Sequence, residues 1–177
     1  TFAMFATGRA FEIVRNSIGY TGANVKICAS HAGITVGEDG ASHQTFEDIA
    51  LMRTVPGMTV VNPSDAVATK KLLRQIVEME GPCYFRVGRA AVPVFYDESD
   101  EITLGKGNLI RDGKDVTIIA TGIMVSSAFE AAEKLAAEGI DARVIDIHTI
   151  KPVDEEIIIK AAEETGAIVT AEEHGII

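Results

Sequence analysis

The feature that most constrains the fold is a repeated alternation. Short, nearly continuous apolar runs recur along the chain, each followed by a stretch with helical spacing. Val25-Lys26-Ile27-Cys28-Ala29, Met58-Thr59-Val60-Val61, Cys83-Tyr84-Phe85-Arg86-Val87, Val116-Thr117-Ile118-Ile119-Ala120, Ala142–Asp146 and Ala167–Ala171 read as strands. They lack the strict polar alternation of a sheet with one wet face, so both faces call for cover. Apolar positions at helical spacing supply it over residues 2–18 (Phe2, Phe5, Phe11, Ile13, Val14, Ile18), 45–53, 65–80, 125–138 and 152–165. Thr45 or Gln44 lies near the start of the second helix. Ser64 or Asp65 is placed to cap the third, and Gly81-Pro82 ends it. Strands alternating with helices of about 10–15 residues predict an α/β fold with mainly parallel, helix-covered sheets. Residues 105–111 and 116–120 flank the turn signal Asp112-Gly113 and are expected to pair as a hairpin.

Residues 90–101 break this rhythm. Val92-Pro93-Val94-Phe95-Tyr96 runs into the acidic Asp97-Glu98-Ser99-Asp100-Glu101, which reads as a linker between two α/β domains, residues 1–89 and 102–177. The chain begins at Thr1 and stops soon after its last strand-like run, where such domains usually continue into a helix. Both ends are therefore expected to be trimmed.

Composition removes several classes of function. A net charge of -10 and the absence of tryptophan argue against a nucleic-acid partner. No apolar run approaches the ~20 residues that span a bilayer, and the amino terminus lacks the basic stretch and cleavage site of a signal peptide. A soluble, cytoplasmic protein with no membrane partner is expected. Cys28 and Cys83 sit in strand-like runs without metal or disulfide spacing, and both are expected to be small buried hydrophobes.

In parallel sheets, ligands bind beyond the carboxyl ends of the strands. That rule singles out the loop Ser30–Gln44 and the segment Arg86–Arg89, each of which follows a strand. The loop holds His31 and His43, the adjacent Glu38 and Asp39, and Gly33, Gly37 and Gly40. Glycine permits close backbone approach to a ligand, and imidazole exchanges protons near neutral pH. The combination suits a polyhydroxylated substrate, although loop histidines are often simply solvated. A metal site from His31, Asp39 and His43 fits no standard spacing. Phe2 and Phe5 lie one helical turn apart, where core packing is the ordinary reading. Arg86 or Arg89 could clamp a phosphate through its forked donors, or merely bridge domains. Thr121-Gly122 before a helix could bind an anion, although a plain strand-to-helix turn accounts for it.

Taken in order, these segments resemble one family. Gly37-Glu38-Asp39-Gly40 followed by Ser42-His43-Gln44 looks like the GEDG-x-(S/T)-H-Q motif of transketolases. Thr1-Phe2-Ala3-Met4-Phe5 resembles the family's TF-x-x-F, and Ser30-His31 its SH or TH position. Arg53-x-x-Pro56, Asn62-Pro63-Ser64-Asp65, Arg86-Val87-Gly88-Arg89, Thr121-Gly122 and Ile150-Lys151-Pro152 keep the family's order. Deoxyxylulose-phosphate synthases share GEDG-x-(S/T)-H, but His31 favours transketolase.

The resemblance implies a pyrimidine-binding domain and a transketolase carboxyl-terminal domain that depend on thiamine diphosphate. The cofactor's C2 carbanion would pass a two-carbon ketol unit from ketose to aldose phosphate, as in the pentose phosphate pathway. It implies Phe2 and Phe5 against the aminopyrimidine ring, and His31 and His43 on substrate oxygens and their protons. It implies Asp39 on the hydroxyl beside the reacting carbonyl, and Arg89, or else Arg86, on the sugar phosphate. Gly8 departs from members with an aromatic there. The family's cofactor-activating Glu and its diphosphate-binding GDG…N run have no match in the chain. Thiamine diphosphate is thus expected to be shared with an amino-terminal transketolase subunit or section that carries Mg2+, in a homo- or hetero-oligomer such as a dimer. The chain alone is expected to be inactive. A deoxyxylulose-phosphate synthase-like enzyme and a non-catalytic assembly module remain the alternatives.

Overall fold

The structure is a computed structural model and describes residues 1–176. Two four-stranded sheets form, each covered by helices on both faces. The strands are β1 (Lys26–Ala29), β2 (Thr59–Val61), β3 (Cys83–Arg86), β4 (Asn108–Arg111), β5 (Val116–Ala120), β6 (Ala142–Asp146), β7 (Thr149–Lys151) and β8 (Ile168–Ala171). The first sheet has the order β1-β3-β2-β7 and the second β4-β6-β5-β8. Pairing is parallel except for β7 against β2 and β4 against β6. The expected parallel, helix-covered α/β architecture is present.

The helices are α1, built from the consecutive pieces Phe5–Arg9, Phe11–Ile13 and Val14–Gly19, then α2 (Asp48–Thr54), α3 (Ala66–Glu78), α4 (Met124–Ala137) and α5 (Glu155–Thr165). The first and last pieces of α1 are wound wider than an α-helix, as in Ala10 N–H donating to the Phe5 carbonyl five residues back. Successive strand residues face opposite ways. Val60 and Tyr84 pack with Ala3, Val14 and Met52 of the α1–α2 face, whereas Val61 and Phe85 meet Ala68, Leu72 and Ile76 of α3. Ala68, Leu72 and Ile76 repeat every four residues, which puts them on one stripe of α3. The Asp65 carboxylate caps that helix by accepting from Ala68 N at 2.8 Å. In the second sheet, Ile118, Ala120 and Val144 pack against α4, and Ile145 packs against Ala161 of α5.

Three expectations are corrected. Residues 105–111 and 116–120 do not form a hairpin, because β6 lies between β4 and β5 and bonds to both. Helix α2 starts at Asp48, after Thr45 and Phe46 have turned onto the Glu47 carboxylate. Cys28 is exposed, because β1 is an edge strand, whereas Cys83 is buried and its thiol is pushed up to about 12, first by burial.

Between β3 and β4 the chain forms no helix or strand. It is held by Asp65, whose second carboxylate oxygen accepts from Phe95 N and Tyr96 N at 3.0 Å each. The two sheets are stitched together beyond this segment. Strand β7 leaves the second sheet's side of the chain to pair with β2, and Lys151 Nζ donates to the Arg53 and Val55 carbonyls at the end of α2, at 2.8 and 2.7 Å.

Candidate active site

Residues 1–3 lie beside the end of β1. Ala3 N donates to Ser30 O at 2.7 Å and Ser30 N to Thr1 O at 3.0 Å, which brings Phe2 next to Ser30-His31. The backbone then turns at His31 with φ 59°, a left-handed conformation uncommon for a side chain of this size. The His31 ring lies flat on Phe2, with centroids 3.9 Å apart and planes 14° apart. Its Nδ1 sits 2.9 Å from Ser30 Oγ, so Nε2 is the nitrogen left for a ligand.

The far arm of the loop returns to the same point. Thr45 N donates to Gly33 O at 3.3 Å, and Gln44 Nε2 donates to Ile34 O at 2.9 Å. Gly40 N to Gly37 O, then His43 N to Gly40 O, form consecutive turns of 3.1 and 3.0 Å. His43 is thereby delivered edge-on to both Phe2 and Phe5, at 5.6 and 5.2 Å. Phe2 and Phe5 are within 11° of parallel at 6.1 Å, and Arg9 stands over Phe5 at 4.8 Å. His43 mirrors His31, with Nδ1 2.9 Å from Ser42 Oγ. Residues from three separate stretches of the chain thus make one aromatic–imidazole cluster. Half-buried parallel rings offer a planar heteroaromatic group a stacking surface, and two imidazoles with open Nε2 atoms can bond and shuttle protons on an adjacent ligand.

Asp39 is exposed at the tip of the Gly37–Gly40 turn. Arg89 is exposed and reaches that turn, since a Cβ on Gly37 would stand 2.6 Å from Arg89 Nη1. With φ +84°, position 37 favours glycine for its conformation, and a side chain there would also displace the Arg89 guanidinium. Arg86 goes the other way. It is 2% exposed, with Nε on Asp48 Oδ2 at 2.7 Å and Nη2 on the Glu173 carbonyl at 2.9 Å. Tyr84 OH donates to the same Asp48 oxygen at 2.7 Å. Burial, with Asp48 second, holds the Tyr84 phenol well above its ordinary range. Arg86 is therefore tied into the interior beneath the loop. The space beside Gly8 that an aromatic could use holds the Met4 methyl end, 2.6 Å from where a Cβ would lie.

Sequence reasoning passed over Asp48 and Glu173. The Asp48 position carried a faint signal, an acidic residue in the first turn of a helix. Glu173 lies 138 residues from Thr35, whose N–H it accepts, and no local pattern announces that contact. Among the described residues, no group of three or more His, Cys, Asp and Glu side chains could hold a metal ion.

The family model for the transketolase pyrimidine-binding domain matches residues 1–94, and that for the transketolase C-terminal domain matches residues 105–177. The chain is 49% identical over 173 residues to an apulose-4-phosphate transketolase subunit of Phocaeicola vulgatus, covering 97% of this chain and 55% of that protein. It is 46% identical over 177 residues to the 6-deoxy-6-sulfo-D-fructose transketolase subunit SqwH of Clostridium sp. (strain MSTE9), covering 100% of this chain and 55% of that protein. A split-gene transketolase, solved as an inactive β4 tetramer, superposes with a TM-score of 0.92 at 52% identity, covering 99% of this chain and 57% of that one. The chain thus spans about half the length of the curated relatives it matches. A transketolase mutant from Pichia stipitis, at 24% identity and TM-score 0.79, shares the fold. With both domain models matched in order, the chain belongs to the transketolase family.

Proposed function

We propose that this chain is the carboxyl-terminal part of a split transketolase that moves a two-carbon ketol unit between sugar phosphates. The observation that carries this reading is the cluster of Phe2, Phe5, His31 and His43, in which two near-parallel phenyl rings lie against two imidazoles that each engage a neighbouring serine through Nδ1 and leave Nε2 for a ligand. The residues fit the aminopyrimidine half of thiamine diphosphate, because a flat heteroaromatic ring finds flat aromatic neighbours there. The loop around it carries Glu38 and Asp39, a poor lining for a diphosphate. That half of the cofactor, with its Mg2+, is assigned to an amino-terminal partner.

Bound there, thiamine diphosphate supplies the nucleophilic carbon that accepts and passes on the two-carbon unit. Phe2 and Phe5 hold the ring plane. His31 Nε2 and His43 Nε2 hydrogen-bond substrate oxygens and carry their protons as carbonyl and hydroxyl interconvert. Asp39 accepts from a substrate hydroxyl and so selects one stereochemistry. Arg89 binds the anionic far end of the sugar, and its exposure beside Gly37 suits that role better than the interior position of Arg86. The sugars in the two relatives' names carry a phosphate in one case and a sulfonate in the other, both anions that a guanidinium binds.

The test combines the chain with an amino-terminal transketolase subunit, thiamine diphosphate and Mg2+. Ketol transfer between sugar phosphates should appear only in the mixture, and the affinity for the cofactor should rise on mixing. His31→Ala and His43→Ala should each lower kcat by about 10²–10⁴-fold. Turnover by the chain alone would refute the shared site. Product from pyruvate and glyceraldehyde phosphate would point instead to a deoxyxylulose-phosphate synthase, and unchanged cofactor affinity on mixing would point to an assembly module.

A further inference from the structure

We propose that Glu173 is a positioning residue of this site, acting from the opposite domain to hold the turn that sets His31 against Phe2. The segment after β8 does not stay with its own sheet. It crosses to the first domain, where Gly175 N donates to Phe46 O at 2.7 Å, His174 Nε2 accepts from Ala50 N at 3.3 Å, and the Glu173 carbonyl accepts from Arg86 at 2.9 Å.

Within this docked segment the Glu173 side chain enters the base of the loop. Its Oε1 accepts from Thr35 N at 2.7 Å. Its carboxylate presses on Gly33, where a Cβ would stand 2.0 Å from the Glu173 carboxyl carbon. Gly33 is the residue whose carbonyl receives Thr45 N and ties the His31 arm to the His43 arm. The carboxylate therefore sits under the knot that joins the two histidine-bearing arms.

Glu173 is only 7% exposed, and among the described residues neither its Oε2 nor the buried Thr35 Oγ1 has a hydrogen-bond partner. The nearby Arg86 guanidinium donates to the Glu173 carbonyl and to Asp48 rather than to this carboxylate. A buried carboxylate with one hydrogen bond is an expensive way to fill space. A leucine or methionine would pack there at less cost. What the carboxylate adds is a directed acceptor for the Thr35 amide, which fixes the turn two residues after Gly33 and four after the left-handed His31. The carboxyl-terminal domain thereby has a part in the site without touching the ligand.

The proposal rests on the transketolase reading only for its catalytic consequence. The test is the NMR signature of the 177-residue chain with Glu173→Gln and Glu173→Ala. The His31 ring protons lie over Phe2 and carry its ring current. They should move downfield in Glu173→Ala and by a smaller amount in Glu173→Gln, whose amide oxygen can still accept from Thr35. The Thr35 amide proton should move upfield in both. A residue with a merely structural role would lower the melting temperature and leave the His31 ring signals of the folded chain in place. Unmoved His31 signals in folded Glu173→Gln overturn the proposal, and that near-isosteric variant decides the matter if Glu173→Ala does not fold. With the amino-terminal subunit present, the displaced His31 should lower kcat by up to about 100-fold, with KM changed far less. A wild-type mixture inactive on sugar phosphates would defeat the transketolase reading, while a moved His31 signal would still uphold the positioning role.

Discussion

Two buried places in this molecule handle acidic groups in opposite ways. Beneath the site loop, Asp48 at 0% exposure meets Arg86 at 2%, with Tyr84 OH on the same carboxylate oxygen. At the junction of the two sheets, Asp146 meets no cation among the described residues. Its Oδ2 accepts from Ser64 Oγ at 2.6 Å and Tyr96 OH at 3.0 Å, and its buried Oδ1 has no partner among them. Burial pushes Asp146 up to about 7, with the two hydroxyls pulling the other way and Asp65 adding to the rise. Two residues along, His148 is fully buried between Asn108 and Thr149, and burial lowers it to about 4. The first place keeps charge by pairing it. The second keeps its groups neutral, and so binds its stability to pH.

The largest effect should come from breaking the pair. Arg86→Ala or Asp48→Ala leaves the other charge buried alone and should cost about 3–5 kcal/mol in denaturant unfolding. A loss below about 1 kcal/mol would show that the pair is not desolvated, and the contrast would collapse.

Next come the two neutral groups, whose pH effects oppose each other. A carboxyl raised from about 4 to about 7 holds its proton when folded and releases it when unfolded, so its contribution falls as pH rises from about 4 to about 7. The histidine, lowered from about 6.5 to about 4, must lose its proton on folding, so its contribution falls as pH drops through that window. Each slope is at most about 1.4 kcal/mol per pH unit, and in wild type they largely cancel. Asp146→Asn should therefore make the protein more acid-sensitive than wild type between pH about 4 and 6.5. His148→Gln should make it lose stability toward neutral pH. Parallel pH curves for wild type and Asp146→Asn would remove Asp146 from the account.

Smaller still is Tyr96→Phe, which deletes one hydroxyl from Asp146 and should cost about 1 kcal/mol above neutral pH, where the carboxylate is charged, and less below. At the small end, Arg89→Ala, three residues from Arg86 and exposed, should change unfolding stability by no more than about 0.5 kcal/mol. On the proposed function, it should instead raise KM for sugar phosphates in the mixture with the amino-terminal subunit. A stability loss as large as that of Arg86→Ala would erase the division of labour between the two arginines.

Much of the architecture was legible in sequence because it rests on local periodicity. Val116–Ala120 reads as a buried strand from its own residues, and Ser64 or Asp65 reads as a cap, of which the structure uses Asp65. What sequence missed is decided by distant partners. Asp112-Gly113 announces a chain reversal, but whether β4 pairs with β5 depends on β6, about thirty residues on. Cys28 lies in an apolar run, yet an edge strand leaves it exposed. Arg86 and Arg89 look alike in a strand-end motif until Asp48, 38 residues earlier, claims one of them. The spacing of Phe2 and Phe5 favoured core packing, while the structure leaves both rings half-buried against the two loop histidines. The loop's histidines, carboxylates and glycines were legible in sequence; the meeting of its arms on Phe2 was not, since that follows from the Ser30 and Gly33 backbone bonds.

The pairing of β7 with β2 bears on how the molecule can be divided. A cut in the segment between β3 and β4 looks natural, since no helix or strand is severed there. Yet it would strip β7 from the first sheet and bare the backbone groups of β2, a ready template for strands of other copies. It would also take Lys151 from the carbonyls that end α2. An amino-terminal fragment made that way should aggregate even when the cut falls after Ile102 and leaves every buried residue of its two cores in place. A fusion that returns Thr149–Lys151 to the edge of β2 should keep it in solution.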